Sequence, residues 1–454
     1  MTNTMRNIKG DSMEYKIGMI SLGCPKNQVD AEHMLALIDA EGWEIVDYVD
    51  GCDVVIVNTC GFIDDAKKEA IENILDMVEL KKEGIISKII VTGCLAQRYK
   101  EEIVAEIPEV DAVVGIGANG DIIKTIEEVM TSMNTIEKYP EQSELPLDGQ
   151  RVLTTPEYWA YLKIGEGCSN RCTYCTIPYI RGNMRSRKME SIIDEANQLA
   201  ESGVKELILI AQDTTSYGLD LYGKLKLPEL LDELCKIDSI EWIRLLYCYP
   251  DRITDELIDT MKKQDKIVNY IDLPLQHADD KILKAMNRRG DQALIRSVIS
   301  KLRAEIPDVV IRTTFIVGFP GEGEQEFETL AEFVNEIEFD RLGVFTFSPQ
   351  EGTPAYDMEN QVDDDVKNRR GEIIMQDQYS IMEEKNNEKI GKIYKVIVED
   401  YDGYSDSYTG RTYMDAPEID GLVKFTSPDD LDIGSFVDVE IFDIEDYDLI
   451  GETK

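Results

Sequence analysis

The chain has 454 residues, 43% hydrophobic and 30% charged, the profile of a soluble globular protein of about three domains. No run of eighteen apolar residues occurs, which excludes a membrane-spanning helix, and residues 1–15 lack the apolar core of a secretory signal, so a cytoplasmic protein without a membrane partner is expected. Against 48 Lys+Arg stand 90 Asp+Glu, a net charge of −42 that repels polyanions, so direct nucleic-acid binding is not expected and a basic partner is favoured. Nine cysteines and two histidines, His33 and His277, exclude His-built zinc sites. In a reducing compartment such thiols point to metal rather than to disulfides.

From the amino end, residues 16–22 form a short apolar run followed by an amphipathic stretch over 29–40. Further runs at 53–58, 88–92 and 112–115, with a helical pattern over 64–82, predict a doubly wound parallel α/β domain over residues 15–130. Residues 131–156, rich in Ser, Thr, Glu and Pro, read as a linker. Six strand-like runs follow, at 158–164, 206–211, 243–247, 270–274, 309–317 and 341–345, with helical stretches between them. They predict a curved parallel sheet, a partial (β/α)6 barrel, over 157–388, ending in a helix at about 363–388. Residues 389–454, rich in Tyr, Val, Ile and Asp with Gly turns, read as a small antiparallel β-barrel. The expected fold is thus α/β and multidomain.

Two cysteine constellations carry the chemistry. Cys168, Cys172 and Cys175 form a C-x3-C-x2-C run after the first strand of the central domain. Three thiolates so close on one loop can hold three irons of a [4Fe–4S] cube and leave the fourth open to a small molecule. A structural zinc normally takes four ligands, and no fourth Cys or His lies nearby. Cys24, Cys60 and Cys94 are dispersed, but each follows an apolar strand in a matched context: ISLGC, IVNTC and IVTGC. The carboxyl ends of parallel strands share one edge, so these three thiols are expected to converge on a second cluster. Cys52, Cys235 and Cys248 have no such company and read as structural thiols.

Weaker signals are the G-x-G-x-x-G of residues 115–120, read as a loop, the turn over 317–322, and His277 at a strand end, read as structural. The basic run over 181–188 reads as a site for carboxylates or phosphates.

Assembled, these residues resemble the methylthiotransferase family, which joins a three-cysteine domain, a radical S-adenosylmethionine (SAM) domain and a TRAM barrel. The resemblance spans nearly the whole chain. It implies that Cys168, Cys172 and Cys175 hold a SAM-cleaving [4Fe–4S] cluster, that Cys24, Cys60 and Cys94 hold an auxiliary [4Fe–4S] cluster, and that Tyr174 lies near the adenine of SAM. Within the family one branch modifies adenosine in transfer RNA, and the RimO type modifies an aspartate of ribosomal protein S-twelve. The stretches at 21–35, 166–187, 209–223, 272–290 and 410–421 resemble the RimO type. Residues 392–454 carry 17 acidic and 5 basic side chains, net −12 on 63 residues, twice their share of the charge. Such a barrel suits a basic ribosomal protein better than RNA. The activity this implies is methylthiolation of the aspartate β-carbon through a 5′-deoxyadenosyl radical, with electrons from a flavodoxin or ferredoxin. A transfer-RNA methylthiotransferase and a non-catalytic iron–sulfur electron carrier are the rival readings.

Overall fold

The computed structural model describes residues 14–454, so the expectation for the first fifteen residues lies almost wholly outside the described residues. The chain divides into two compact units, one of residues up to Thr154 together with Tyr179–Arg181, the other of Thr155–Pro178 and Gly182–Lys454.

The first unit is built on a six-stranded, wholly parallel sheet ordered Glu44–Val46, Lys16–Ser21, Val54–Thr59, Lys88–Gly93, Ala112–Val114, Ile136–Lys138. Every residue of the VVIVNT strand is buried, because side chains alternate between two covered faces. Val54 and Ile56 pack toward Met34, Ile38 and Ile126 from helices Pro25–Glu41 and Ile122–Thr131. Val55 and Val57 pack toward Ile74, Met77 and Val78 from helix Asp64–Lys82. That helix carries Asp64 and Asp65 in its first turn and Lys81 and Lys82 in its last, the charge order its dipole favours. Strand order reverses between Lys16–Ser21 and Val54–Thr59, and the crevice beyond the carboxyl ends of such a pair is where ligands gather in this architecture.

Three sequence readings are corrected here. Residues 131–156, expected as a linker, contribute Ile136–Lys138 as the outermost strand of the sheet, paired with Ala112–Val114. Strand Glu44–Val46 was not anticipated; at three residues each, both are too short to show alternation. The helix expected from Val29 begins at Pro25, since proline at the first helical position starts a helix that the polar residues after it conceal.

The second unit contains a parallel six-stranded sheet in sequential order, Trp159–Lys163, Glu206–Ile210, Trp242–Leu245, Ile267–Gln276, Val310–Val317, Arg341–Thr346. Helices follow the strands, giving six βα units rather than the eight of a closed barrel. Helix Asp364–Asn387 then leads to a closed five-stranded barrel of Ile393–Asp402, Ser407–Arg411, Val423–Thr426, Asp448–Thr453 and Phe436–Glu445.

The barrel segment 410–421 is seated against the sheet by buried charges. Glu206, wholly buried, accepts from Arg244 Nε (2.7 Å) and Arg411 Nη2 (2.8 Å). Arg244 Nη1 donates to the Tyr413 carbonyl (2.7 Å), Arg341 Nη2 to Asp415 (2.6 Å), and Tyr270 Oη to Asp420 (2.7 Å). Burial alone would raise the pKa of Glu206, but Arg411 and Arg244 outweigh it and hold the carboxyl below its ordinary range. Among the described residues no helix is long and apolar enough to cross a membrane.

Candidate functional site

In the first unit the carboxyl ends of three adjacent strands lead directly to Cys24, Cys60 and Cys94. Cys24 is the N-cap of helix Pro25–Glu41, with its carbonyl accepting from the Asn27 and Gln28 amides at 2.8 and 3.1 Å. Gly23 lies at φ +91, and any Cβ there would stand 2.6 Å from Cys60 Cβ, so only glycine lets the first loop lie against the second thiol. Asn27 and Asn58 bind the two loops together: Asn27 Nδ2 donates to the Leu22 carbonyl (2.7 Å) and Asn58 Nδ2 to the Asn27 carbonyl (2.8 Å).

Cys60 and Cys94 are buried, and the buried guanidinium of Arg181 reaches Cys94. Burial pushes the Cys94 thiol up to about 12 and raises that of Cys60, and the neighbouring thiols add repulsion. Arg181 opposes both shifts, with its Nε 3.4 Å from Cys94 Sγ. The basic run over 181–188 does bind carboxylates, but they are the protein's own: Arg181 pairs with buried Asp30 at 2.8 Å and Arg187 with Glu195 at 2.6 Å.

In the second unit Cys168, Cys172 and Cys175 lie on the loop after strand Trp159–Lys163 and the short pair Gly165–Glu166 with Arg185–Ser186. Gly167, at φ +76, sits so close to the Asn183 carbonyl that a Cβ would collide with it. The loop is pinned from the ends of the neighbouring strands. Asn170 Nδ2 donates to Asp213 (2.7 Å), whose carboxylate also pairs with Arg252, and Arg252 Nη2 returns to Asn170 Oδ1 (3.0 Å). Asn287 Nδ2 holds the Arg171 carbonyl (2.8 Å), and the Thr173 amide donates to the Met286 carbonyl (3.0 Å).

Cys172 Sγ lies 2.9 Å from the Tyr249 hydroxyl, and the Arg288 guanidinium covers the Tyr249 ring at 3.9 Å. Burial pushes the Cys168 thiol up to about 11 and raises that of Cys175, with the other thiols of the loop adding to both. Tyr174 is half-buried against an apolar cluster that includes Phe319, Phe347 and Met286. Phe319 belongs to the turn over 317–322, which Glu322 fastens: it accepts from the Gly318 amide (2.9 Å) and from Arg370 Nη1 (2.9 Å). His277 Nδ1 accepts from the Asp279 amide at 3.0 Å, which leaves Nε2 to donate to Glu322 at 3.2 Å. His277 thus braces the turn that Glu322 fastens.

Among the described residues no three Cys, His, Asp or Glu side chains close around a single ion. A cubane cluster asks for something different, because each thiolate caps its own iron and the inorganic core stands between them. Both constellations fit that demand: each groups three thiols, two of them buried, with Arg181 Nε–H directed at sulfur in one and the Tyr249 hydroxyl beside sulfur in the other. Cys52 and Cys248 are buried in packing and Cys235 is half-buried at a helix end, all apart from both groups. Sequence reading missed Asn170, Asp213, Tyr249, Arg252 and Arg288. Asn170, inside the C-x3-C interval, and Asp213 and Arg288, inside stretches already singled out, had a signal.

Comparison with known proteins agrees with this division. The Radical SAM superfamily matches residues 162–334, the Uncharacterized protein family UPF0004 residues 16–115, and the TRAM domain residues 390–453. The chain is 52% identical to the ribosomal protein uS12 methylthiotransferase RimO of Acetivibrio thermocellus, over 97% of this chain and 98% of that one. It is 54% identical to the protein of the same name from Caldanaerobacter subterraneus subsp. tengcongensis, over 96% and 99%. Among solved structures, the radical SAM methyltransferase TsrM from Kitasatospora setae, with cobalamin and a [4Fe-4S] cluster bound, aligns with a TM-score of 0.56 at 13% identity. That alignment covers 76% of this chain and 77% of that one, a likeness of fold alone.

Proposed function

The chain belongs to the RimO family of radical SAM methylthiotransferases, and from that premise we propose that it adds a methylthio group to the β-carbon of an aspartate in ribosomal protein uS12, in the cytoplasm. The observation that carries this reading is near-complete coverage at about half identity, with both cysteine constellations standing at the carboxyl ends of their strands. In this reading the first domain runs from residue 15 through the strand Ile136–Lys138, and the others run 157–388 and 389–454.

Cys168, Cys172 and Cys175 are assigned to a [4Fe–4S] cluster that binds SAM, and Cys24, Cys60 and Cys94 to an auxiliary [4Fe–4S] cluster. When bound, these groups supply one-electron cleavage of SAM, hydrogen abstraction at an unactivated C–H bond, and the sulfur to be transferred. The chain supplies the rest. Asp213 and Arg252 fix the shape of the C-x3-C-x2-C loop through Asn170. The Tyr249 hydroxyl lies within hydrogen-bond reach of Cys172, where it would donate to a cluster thiolate, and Tyr174 offers an apolar wall for the adenine. Burial of Cys168, Cys172, Cys60 and Cys94 keeps water from these sulfurs.

The barrel is assigned to substrate docking. Its exposed acids Asp400, Asp402 and Asp406 on one hairpin, with Asp429, Asp430 and Asp432 on a loop, lie beside the exposed Tyr401 and Tyr404. Asp430 acts electrostatically on Tyr401, so hairpin and loop share one end of the barrel. That end suits a basic protein. A small reduced electron carrier such as flavodoxin or ferredoxin completes the cycle.

The test is anaerobic reconstitution of the full chain with iron, sulfide, SAM and reductant, followed by mass spectrometry of uS12 and of bulk transfer RNA. A methylthio mass on a uS12 aspartate supports the reading. A methylthioadenosine in transfer RNA with unmodified uS12 would overturn the substrate assignment, and SAM left intact under reductant would overturn the enzyme reading altogether.

A further inference from the structure

Arg181 follows the second cysteine loop in sequence, yet the segment Tyr179–Arg181 packs within the first unit. Its side chain is 1% exposed, a full positive charge placed in the interior. The two Nη atoms are used on helix Pro25–Glu41: Nη1 donates to Asp30 at 2.8 Å and Nη2 to Asn27 at 3.1 Å. That leaves Nε, which points to Cys94 Sγ at 3.4 Å. A plain Arg–Asp ion pair needs only the Nη edge. Here the rigid guanidinium fork turns its remaining N–H onto a sulfur of another loop.

We propose that Arg181 is a positioning residue for the auxiliary cluster, donating its Nε–H to the Cys94 thiolate and raising the cluster's reduction potential. The inference rests on the assignment of Cys24, Cys60 and Cys94 to that cluster. Hydrogen bonds to the sulfurs and the net charge nearby are what set the potentials of such clusters, and Arg181 contributes to both. Asp30 tempers the effect, because its carboxylate offsets part of the guanidinium charge. The same contacts orient the ligand: Arg181 ties Cys94 to the helix that Cys24 caps, so two of the three thiolates are held in register by one side chain.

The test uses the full chain with Cys168, Cys172 and Cys175 each replaced by Ala, so that only the auxiliary cluster contributes to iron content and to a redox titration followed by electron paramagnetic resonance. Into this background are placed Asp30→Asn alone, and Arg181→Gln together with Asp30→Asn, which removes both charges and leaves no buried ion unpaired. The double change lowers the equilibrium constant for reduction at least tenfold, a downward shift of about 59 mV for a one-electron couple. Asp30→Asn alone, with Arg181 retained, shifts the potential upward. A purely structural Arg181 would change cluster occupancy without moving the potential in these opposite directions. The proposal is overturned if the double change leaves an equally loaded cluster at the parent potential, or if Asp30→Asn gives no upward shift. Absence of any cluster from the parent triple-alanine chain would instead overturn the auxiliary-cluster assignment.

Discussion

Replacing Glu206 by Gln should loosen the barrel from the sheet. The carboxylate is fully buried and serves two guanidiniums, Arg244 and Arg411, themselves 0% and 1% exposed. Gln keeps the shape but removes the charge, and stripping one partner from a buried ion pair costs about 3–5 kcal/mol. The lower end applies here, because Arg411 retains Glu399 (2.7 Å) and the Asp415 carbonyl (3.0 Å), and Arg244 retains the Tyr413 carbonyl. For a unit of this size about 3 kcal/mol corresponds to a fall in Tm of roughly 5 °C. Because the folded pKa of Glu206 is depressed, its contribution is complete above the ordinary glutamate range and is lost as pH falls through the folded value. The gap between wild type and variant, measured by calorimetry or by urea unfolding under anaerobic conditions, should be widest near neutrality and close on acidification. A variant within about 2 °C of wild type at neutral pH, or a gap that widens in acid, would refute the clamp.

Other expectations follow from the two cysteine groups and the barrel. Ala at Cys168, Cys172 or Cys175 should halve an iron content of about eight per chain and abolish SAM cleavage, whereas Ala at Cys24, Cys60 or Cys94 should halve the iron yet leave SAM cleavage intact. Iron analysis with a 5′-deoxyadenosine assay separates the two, and a chain that cleaves SAM without Cys172 would remove the assignment. Tyr249→Phe deletes the hydroxyl 2.9 Å from Cys172 Sγ, a bond to a charged sulfur worth about 1.5–3 kcal/mol, of which roughly 1.4 kcal/mol is expected to be gained as reduction makes the sulfur more negative. The SAM-site potential should then fall by about 59 mV in a redox titration, and no change would mean the hydroxyl does not face the thiolate. Asn at Asp429, Asp430 and Asp432 together should weaken binding of a basic substrate protein several-fold at low salt and flatten its salt dependence, read by calorimetric titration. Equal affinity at every ionic strength would place docking elsewhere.

What sequence could reveal follows from the range of each interaction. The strand over 54–59 and the helix over 64–82 were legible because their signals are local: an apolar run in one, and in the other an amphipathic repeat bounded by Asp and Lys. The six cysteines proposed as cluster ligands were legible as two groups for a related reason, three spaced closely on one loop and three each following a strand. Arg181 was not. It was seen as a member of a basic run, and its partner Asp30 lies 151 positions away, a separation no periodicity spans. The turn over 317–322 was legible as a turn, and the structure adds that Glu322 and His277 hold it in shape.

The barrel teaches the harder lesson. Residues 410–421 resemble one branch of the family and also lie within the barrel whose overall charge was counted as a docking surface. Asp415 and Asp420 instead turn inward to Arg341, Arg312 and Tyr270 at the amino ends of the sheet strands. Their charge is spent within the chain and offers nothing to a partner. Charge counting therefore overstated the docking surface by the acids that answer buried arginines, Glu399 among them. The excess still survives that correction, since Asp400, Asp402, Asp406, Asp429, Asp430 and Asp432 remain exposed at one end of the barrel. The segment that resembles the branch thus fixes where the barrel sits, and the acids outside it are the ones proposed to meet the substrate. Substitutions in the two sets should separate accordingly: changes at Asp415 lower stability, and changes at Asp429–Asp432 lower affinity while leaving Tm in place.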